Sequence, residues 1–235
     1  MGAPRRRGLR MTEIPQVREI LARAESVLLD FDGPICSVFS GLPASEVARR
    51  LRGAYEETHS EAARLVQGDD PLELVRVAAL EGVPYVGELE SMLTDLEVAA
   101  VDKAAPTPSA RDAIEALHAE GHLLAVVSNN STAALKRYFA GRGFDRYVSP
   151  LVGREAIRLS KMKPAPEMLW LALEVHGVAP QDAVLVGDSV TDIQAAQAAG
   201  AMSIGYANKP GKAERLRRAG ATAVIEDMAD LIQRG

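Results

Sequence analysis

The chain has 235 residues, 47% of them hydrophobic and 25% charged, a composition that excludes disordered and fibrous classes. Its 27 Lys and Arg against 32 Asp and Glu give a formal charge of −5, which argues against a phosphate-neutralising nucleic-acid binder. Apolar runs are short, five residues at 123–127 and six at 168–173, against the ~20 needed to span a membrane, so neither nucleic acid nor membrane is expected as a partner.

The first segment, 1–16, is basic but has no apolar stretch of the kind a secretory signal requires, and reads as a flexible arm. From residue 17 apolar runs alternate with helical patterns. The runs at 27–33, 123–130, 183–189, 202–207 and 222–227 read as short strands. Three of them open with unbroken apolar residues, the mark of central parallel strands covered on both faces. Between them, 109–121 and 131–143 each open at a serine and close at a glycine, suiting N- and C-caps. Helices are also expected at 167–177, after two prolines, and at 191–200. Strands alternating with helices of this length define an α/β, doubly wound parallel sheet.

Residues 39–105 break that rhythm with amphipathic helical patterns such as 45–67 and 71–82, and with no strand-like run. The segment reads as an inserted all-helical cap, with the core formed by 17–38 and 106–235. It holds six Lys and Arg against thirteen Asp and Glu, more than the whole net negative charge. One cysteine, Cys36, permits no internal disulfide and no zinc framework, which fits a reducing cytoplasm. The four histidines lack ligand spacing, and Trp170 with its apolar neighbours reads as core.

In an open parallel sheet, ligands bind beyond the carboxyl ends of the strands. The residues just after the apolar runs are therefore the informative ones: Asp30, Asp32 and Gly33; Ser128, Asn129 and Asn130; Asp188 and Asp192; and Lys163 ahead of the helix at 167. Asp30 and Asp32, two apart on an extended segment, share one side. A third carboxylate from Asp188 would repel both unless a cation sits among them. Oxygen-only ligands favour a hard ion, with Mg²⁺ the default. Such an ion would neutralise an incoming phosphate. One aspartate can then attack phosphorus while another moves protons. Lys163, Ser128 and nearby backbone amides would hold phosphoryl oxygens. Gly33 permits a tight turn and close backbone approach.

Each residue alone has a plainer reading. Asp–Gly is a common turn pair, Asp192 suits a helix N-terminus, and Lys161 competes with Lys163. Their joint register favours the site. Arg49, Arg50 and Arg52 of the insert are the arginines considered for a substrate contact.

The segments DFDGPICS (30–37), VVSNN (126–130), KPAPEMLW (163–170) and GDSVTDIQAAQAAG (187–200) resemble the four signature motifs of the haloacid dehalogenase-like hydrolase superfamily. A helical cap after the first motif resembles its phosphoglycolate-phosphatase-like branch. The resemblance implies a Rossmann-like core and a Mg²⁺-dependent phosphatase acting through an aspartyl-phosphate. It implies Asp30 as nucleophile, Asp32 as general acid/base, and Lys163 and Ser128 at the phosphate, where Asn129 and Gly33 are expected as well. It implies Asp30, the carbonyl of Asp32 and Asp188 as metal ligands, with Asp192 holding the metal's water shell. Pro34, Ile35, Cys36 and Ser37 depart from the usual continuation of the first motif.

Asp32 argues against a dehalogenase, which does without the second aspartate. The absence of lysine from 39–102 argues against an imine-forming phosphonatase. A phosphomutase of the β-phosphoglucomutase type is the alternative enzyme. A non-enzymatic phospho-aspartate sensing module is the alternative of another class, which the 67-residue insert speaks against. The expected partner is a small phosphorylated metabolite, and the expected state is monomer or homodimer.

Overall fold

The computed structural model describes residues 10–232 apart from 61–63, 65–67, 141, 145 and 156–159. Six strands form one sheet: β1 (Ser26–Leu29), β4 (Leu123–Ser131), β5 (Leu151–Arg154), β6 (Ala183–Gly187), β7 (Met202–Tyr206) and β8 (Ala223–Ile225). Their order is β5-β4-β1-β6-β7-β8, and every pairing is parallel. The three strands that begin with unbroken apolar runs, β4, β1 and β6, are adjacent in the middle, where both faces must be covered.

Alternation along β1 divides the core. Val27 and Leu29 point into one layer with α1 (Arg10–Arg23), α5 (Ala110–Ala119) and α6 (Thr132–Phe139). Leu28 points into the other, with α7 (Glu167–His176) and α8 (Val190–Ala199). A last helix, α9 (Lys212–Arg218), packs on β7 and β8. Among the described residues no helix is long and apolar enough to cross a membrane.

The expected arm is corrected: residues 10–16 are the first half of α1, and 1–9 lie outside the described residues. Val17, Ile20, Leu21 and Ala24 recur at helical spacing and are buried, which docks the helix on the sheet. Gln16 Nε2 donates to Thr222 O (2.7 Å) and Glu13 pairs with Arg217 (2.8 Å).

Some helix ends follow the capping chemistry. Ser131 Oγ accepts from Ala134 N (3.2 Å), and Gly177 and Gly200 close their helices in the left-handed conformation. Ser109, expected as an N-cap, makes no side-chain cap bond and itself has φ 60°. Trp170 is corrected too. It is 46% exposed, with Leu171 and Val175 beside it. Helix α7 is apolar nearly all round, so periodicity does not reveal that Met168, Leu169, Ala172 and Leu173 form its buried face.

The chain leaves the core through β2 (Cys36–Ser37) and returns through β3 (Ala105–Pro106), paired antiparallel as a two-stranded stem. Between them lie α2 (Ala44–Thr58), α3 (Pro71–Leu80) and α4 (Val86–Val101), with a hydrophobic cluster of their own that includes Leu51, Tyr55, Leu74, Leu89 and Leu93. Helix α2 stops at Thr58; 61–63 and 65–67 of the expected helix lie outside the described residues. Asp70 caps α3, accepting from Leu72 N (2.9 Å) and Glu73 N (3.2 Å).

Candidate active site

Parallel pairing puts the carboxyl ends of β1, β4 and β6 on one edge of the sheet, where the residues after β1 and β6 and the last residues of β4 line the same cleft. The cleft encloses about 470 Å³. Its floor includes Asp30, Asp32, Ser128, Asn129, Lys163, Asp188 and Asp192, and cap residues Asp70, Leu72, Glu73 and Arg76 face it.

Lys163 is at the centre, 3% exposed. Its Nζ lies 2.8 Å from Asp30 Oδ1 and 2.6 Å from Asp192 Oδ1, and donates to Val127 O at 2.9 Å. Burial works against its charge, but Asp192 and Asp30 outweigh that and hold the ammonium above the ordinary lysine range. Lys161 is exposed and lines a different groove. Asn129, expected at the phosphate, lines the cleft and also braces the lysine: its Nδ2 donates to Lys163 O (3.0 Å) and its Oδ1 accepts from Lys163 N (2.8 Å). Ser128 Oγ lines the cleft, donates to Asn130 Oδ1 (3.3 Å) and accepts from Asn130 N (3.2 Å).

Carboxylate oxygens of Asp30, Asp188 and Asp192 lie within 4.8 Å of one another. Burial, then Asp192 and Asp188, push the Asp30 carboxyl up to about 7 despite Lys163. Two ammoniums, Lys163 on Asp30 and Asp192 and Lys212 on Asp188, face these three acids, which leaves the group one positive charge short when all are ionised. Asp192 Oδ2 accepts from Ser189 N (2.9 Å) and Oγ (2.6 Å), while its buried Oδ1 faces Lys163 Nζ at 2.6 Å. An all-oxygen donor set still short of positive charge fits a hard divalent cation.

The Asp32 carboxylate stands outside that group. Its Oδ1 accepts from Val38 N (2.9 Å). Burial raises its pKa to about 6, with Asp188 adding and the Val38 bond opposing. A carboxyl that titrates near neutrality is suited to giving and taking a proton.

Gly33 has φ +112°, and a Cβ there would stand 2.5 Å from Asp188 Cγ. Glycine is what lets the first turn approach the third carboxylate. Its N–H donates to Cys36 O (2.7 Å), so the expected phosphate contact through Gly33 is replaced by this spacing role. A Cβ at Gly187 would likewise meet Asp192 at 2.4 Å. Cys36 is buried, and burial pushes its thiol up, as befits a packed side chain.

Several site neighbours escape sequence reasoning. Arg76 faces the cleft, held by Glu73 through Nε (2.7 Å), whereas Arg49 and Arg50 pair with Glu46 on an exposed helix face. Lys212 pairs with Asp188, and Asn208 Nδ2 donates to the same oxygen (3.0 Å). A Glu–Arg pair three apart reads as a solvated helix face, and Lys212 comes from a loop-and-helix far along the chain. No local signal marks either.

Asp30 and Asp32 have folded values of about 7 and 6 against about 3.9 in an unfolded chain. A raised acid contributes stability that is complete below the unfolded value and is lost as pH rises through the folded one. Without metal, thermal stability is therefore expected to fall between about pH 4 and 7, by at most ~4 kcal/mol from Asp30. A divalent cation should reverse the fall. Calorimetry at pH 5 and 8, with and without the cation, checks this; a metal-free stability that rises with pH contradicts it.

Fold and site together define an α/β protein with a cation-ready acidic centre at the sheet's carboxyl edge and a helical cap over it. Residues 24–200 match the family described as "Hydrolase: haloacid dehalogenase-like hydrolase"; the chain belongs to this family. It is 33% identical over 122 residues to a phosphoglycolate phosphatase of Pectobacterium atrosepticum, covering 52% of this chain and 51% of that protein. It is 38% identical over 98 residues to the phosphoglycolate phosphatase of Escherichia coli K12, covering 42% and 38%. These matches span about half or less of the relatives' length. A putative haloacid dehalogenase-like hydrolase from Bacteroides fragilis has the same fold, with TM-score 0.69, 20% identity, and 89% of this chain and all of that one covered.

Proposed function

We propose that the protein is a Mg²⁺-dependent phosphatase that hydrolyses a small phosphorylated metabolite in two steps through an aspartyl-phosphate. The observation that carries it is the buried Lys163 ammonium set between Asp30 and Asp192, with Asp188 close by and Asp32 turned aside. Asp30, the backbone carbonyl of Asp32 and Asp188 would hold the cation, with Asp192 at its water shell, and the cation would supply positive charge against the phosphoryl oxygens.

In this reading Lys163 and Ser128 orient the phosphoryl group so that an Asp30 oxygen faces phosphorus. Asp30 attacks, the P–O bond to the leaving group breaks, and Asp32 delivers a proton to the departing oxygen. Asp32, now a carboxylate, then takes a proton from water as the water attacks the aspartyl-phosphate. Orthophosphate leaves and Asp30 is regenerated. The Val38 N–H bond to Asp32 Oδ1 (2.9 Å) leaves the second carboxyl oxygen to carry that proton. The cap closes the cleft, excludes water and meets the leaving group. Its site-facing Asp70, Glu73 and Arg76 leave a rim with net negative charge, which disfavours large polyanionic leaving groups.

A panel of phosphorylated metabolites assayed with Mg²⁺ tests the reading. Compact monophosphates, phosphoglycolate among them, are expected to release orthophosphate faster than nucleoside triphosphates or phosphoproteins. No hydrolysis of any monophosphate refutes the reading, and equal rates on the large polyanions refute the size argument.

A further inference from the structure

The parallel ladder between β4 and β5 breaks at the site. Val127 pairs with Val152 and Ser131 with Arg154. The three residues 128–130 thus stand opposite Gly153 alone. Such a bulge re-aims side chains out of the sheet, and here it presents Ser128 to the cleft. It also leaves backbone groups without ladder partners, and buried ones need others.

Those partners come from Arg154 and the cap. Arg154 is 1% exposed and Glu97 is fully buried. Arg154 Nη1 donates to Asn129 O (2.9 Å) and to Glu97 Oε1 (2.9 Å), and Nη2 to Glu97 Oε2 (3.1 Å). Glu97 Oε2 accepts from Ser131 N (2.9 Å), and Glu97 Oε1 from Asn130 Nδ2 (3.1 Å). Asn130 Oδ1 accepts from Ser128 Oγ. Glu90 and Thr94, on the same face of α4, complete the guanidinium's shell at 3.0 and 3.3 Å. Each side of the bulge, Asn129 O and Ser131 N, is therefore pinned by one buried bidentate pair, and half of that pair belongs to the cap. Gly153 lets the bulge close, since a Cβ there would stand 2.5 Å from Thr132 N.

We propose that Arg154 is a positioning residue: with Glu97 it sets the 128–130 bulge in the geometry that presents Ser128 and the neighbouring amides to phosphate, and it ties that geometry to cap helix α4. The proposal rests on the phosphatase reading. Lysine keeps the charge but not the planar fork. Glutamine at 97 would turn an NH₂ toward groups that are all donors.

Arg154→Met leaves two buried carboxylates unpaired and risks misfolding, so Arg154→Lys and Glu97→Gln decide the matter. All are measured with Mg²⁺ and para-nitrophenyl phosphate, with orthophosphate as inhibitor, and with activity expressed per folded molecule. A misplaced site costs on the order of 10²-fold. That is the expected loss of kcat for Glu97→Gln, with a smaller loss for Arg154→Lys. The orthophosphate inhibition constant should rise in both, and Mg²⁺ affinity by calorimetry should stay as in the wild type.

Unchanged kcat and orthophosphate inhibition in both variants overturns the proposal and leaves the phosphatase reading intact. So does a loss that vanishes once activity is counted per folded molecule. A wild type that binds orthophosphate but hydrolyses no ester, with weaker binding in both variants, overturns the phosphatase reading and supports the role of Arg154. A wild type that neither hydrolyses nor binds phosphate overturns both.

Discussion

Asp30→Asn is expected to reduce phosphatase turnover by at least about 10³-fold, or ~4 kcal/mol of barrier, because an amide cannot serve as the nucleophile. The fold should persist and gain slightly in metal-free stability. The wild-type carboxyl is 7% exposed and pushed up to about 7 by burial and by Asp192. Its charged form is thus held against its preference, and a neutral amide removes that penalty while still accepting from Lys163. Steady-state turnover with Mg²⁺ and thermal unfolding in EDTA check the two halves separately. Turnover within tenfold of wild type would remove Asp30 from the nucleophile's role, whatever the stability does.

Lys163→Met should act on stability and activity together. The ammonium lies within 2.8 Å of Asp30 and 2.6 Å of Asp192. Removing it leaves buried carboxylates facing one another, and breaking a buried pair from one side costs ~3–5 kcal/mol. At ~2–4 °C per kcal/mol for a chain of this size, the metal-free melting temperature should drop on the order of 10 °C. Mg²⁺ should recover part of that drop, because it binds among the same acids. Turnover should fall on the order of 10²–10³-fold even with Mg²⁺ saturating, the scale of one lost charge-stabilising donor. Calorimetry in EDTA and in Mg²⁺, beside turnover, measures both. An unchanged melting temperature together with unchanged turnover would mean that Lys163 neither balances the acids nor holds phosphate.

The large features of the molecule are written in short-range patterns. The apolar runs of β1, β4 and β6 identify the central strands, and the polar residue after each run names the site edge, because parallel strands all expose the same end. Lys163 is distinguishable from Lys161 by its Lys-Pro context, and the structure buries only Lys163. Other elements escaped. Edge strand β5 is four residues long, with an arginine at its end. Stem strands β2 and β3 are two residues each. Elements that short carry too little periodicity to stand out from loops.

The same limit governs individual side chains. Glu90, Glu97 and Arg154 have the composition of a solvated surface, where such residues nearly always belong. They are instead buried together because α4 crosses from the cap to the bulge in β4 and brings acids to a guanidinium 57 residues further on from Glu97. The bracing of the Lys163 backbone by the Asn129 side chain is equally invisible in the sequence, where the two residues lie 34 apart.

Sequence by itself therefore determined the layer architecture, the helical insertion after the first strand, and the aspartates, serine and lysine that gather at one edge. Those follow from local hydrophobic period and from the geometry of parallel strands. Only the tertiary structure decided how charge is shared among these groups: Lys163 between Asp30 and Asp192, Lys212 at Asp188, Asp32 on the Val38 amide, Arg154 between the cap and the bulge. Pairing and burial depend on which distant segments meet, and electrostatic interactions are set by those distances and by exclusion of water, neither of which is encoded in any one stretch of chain.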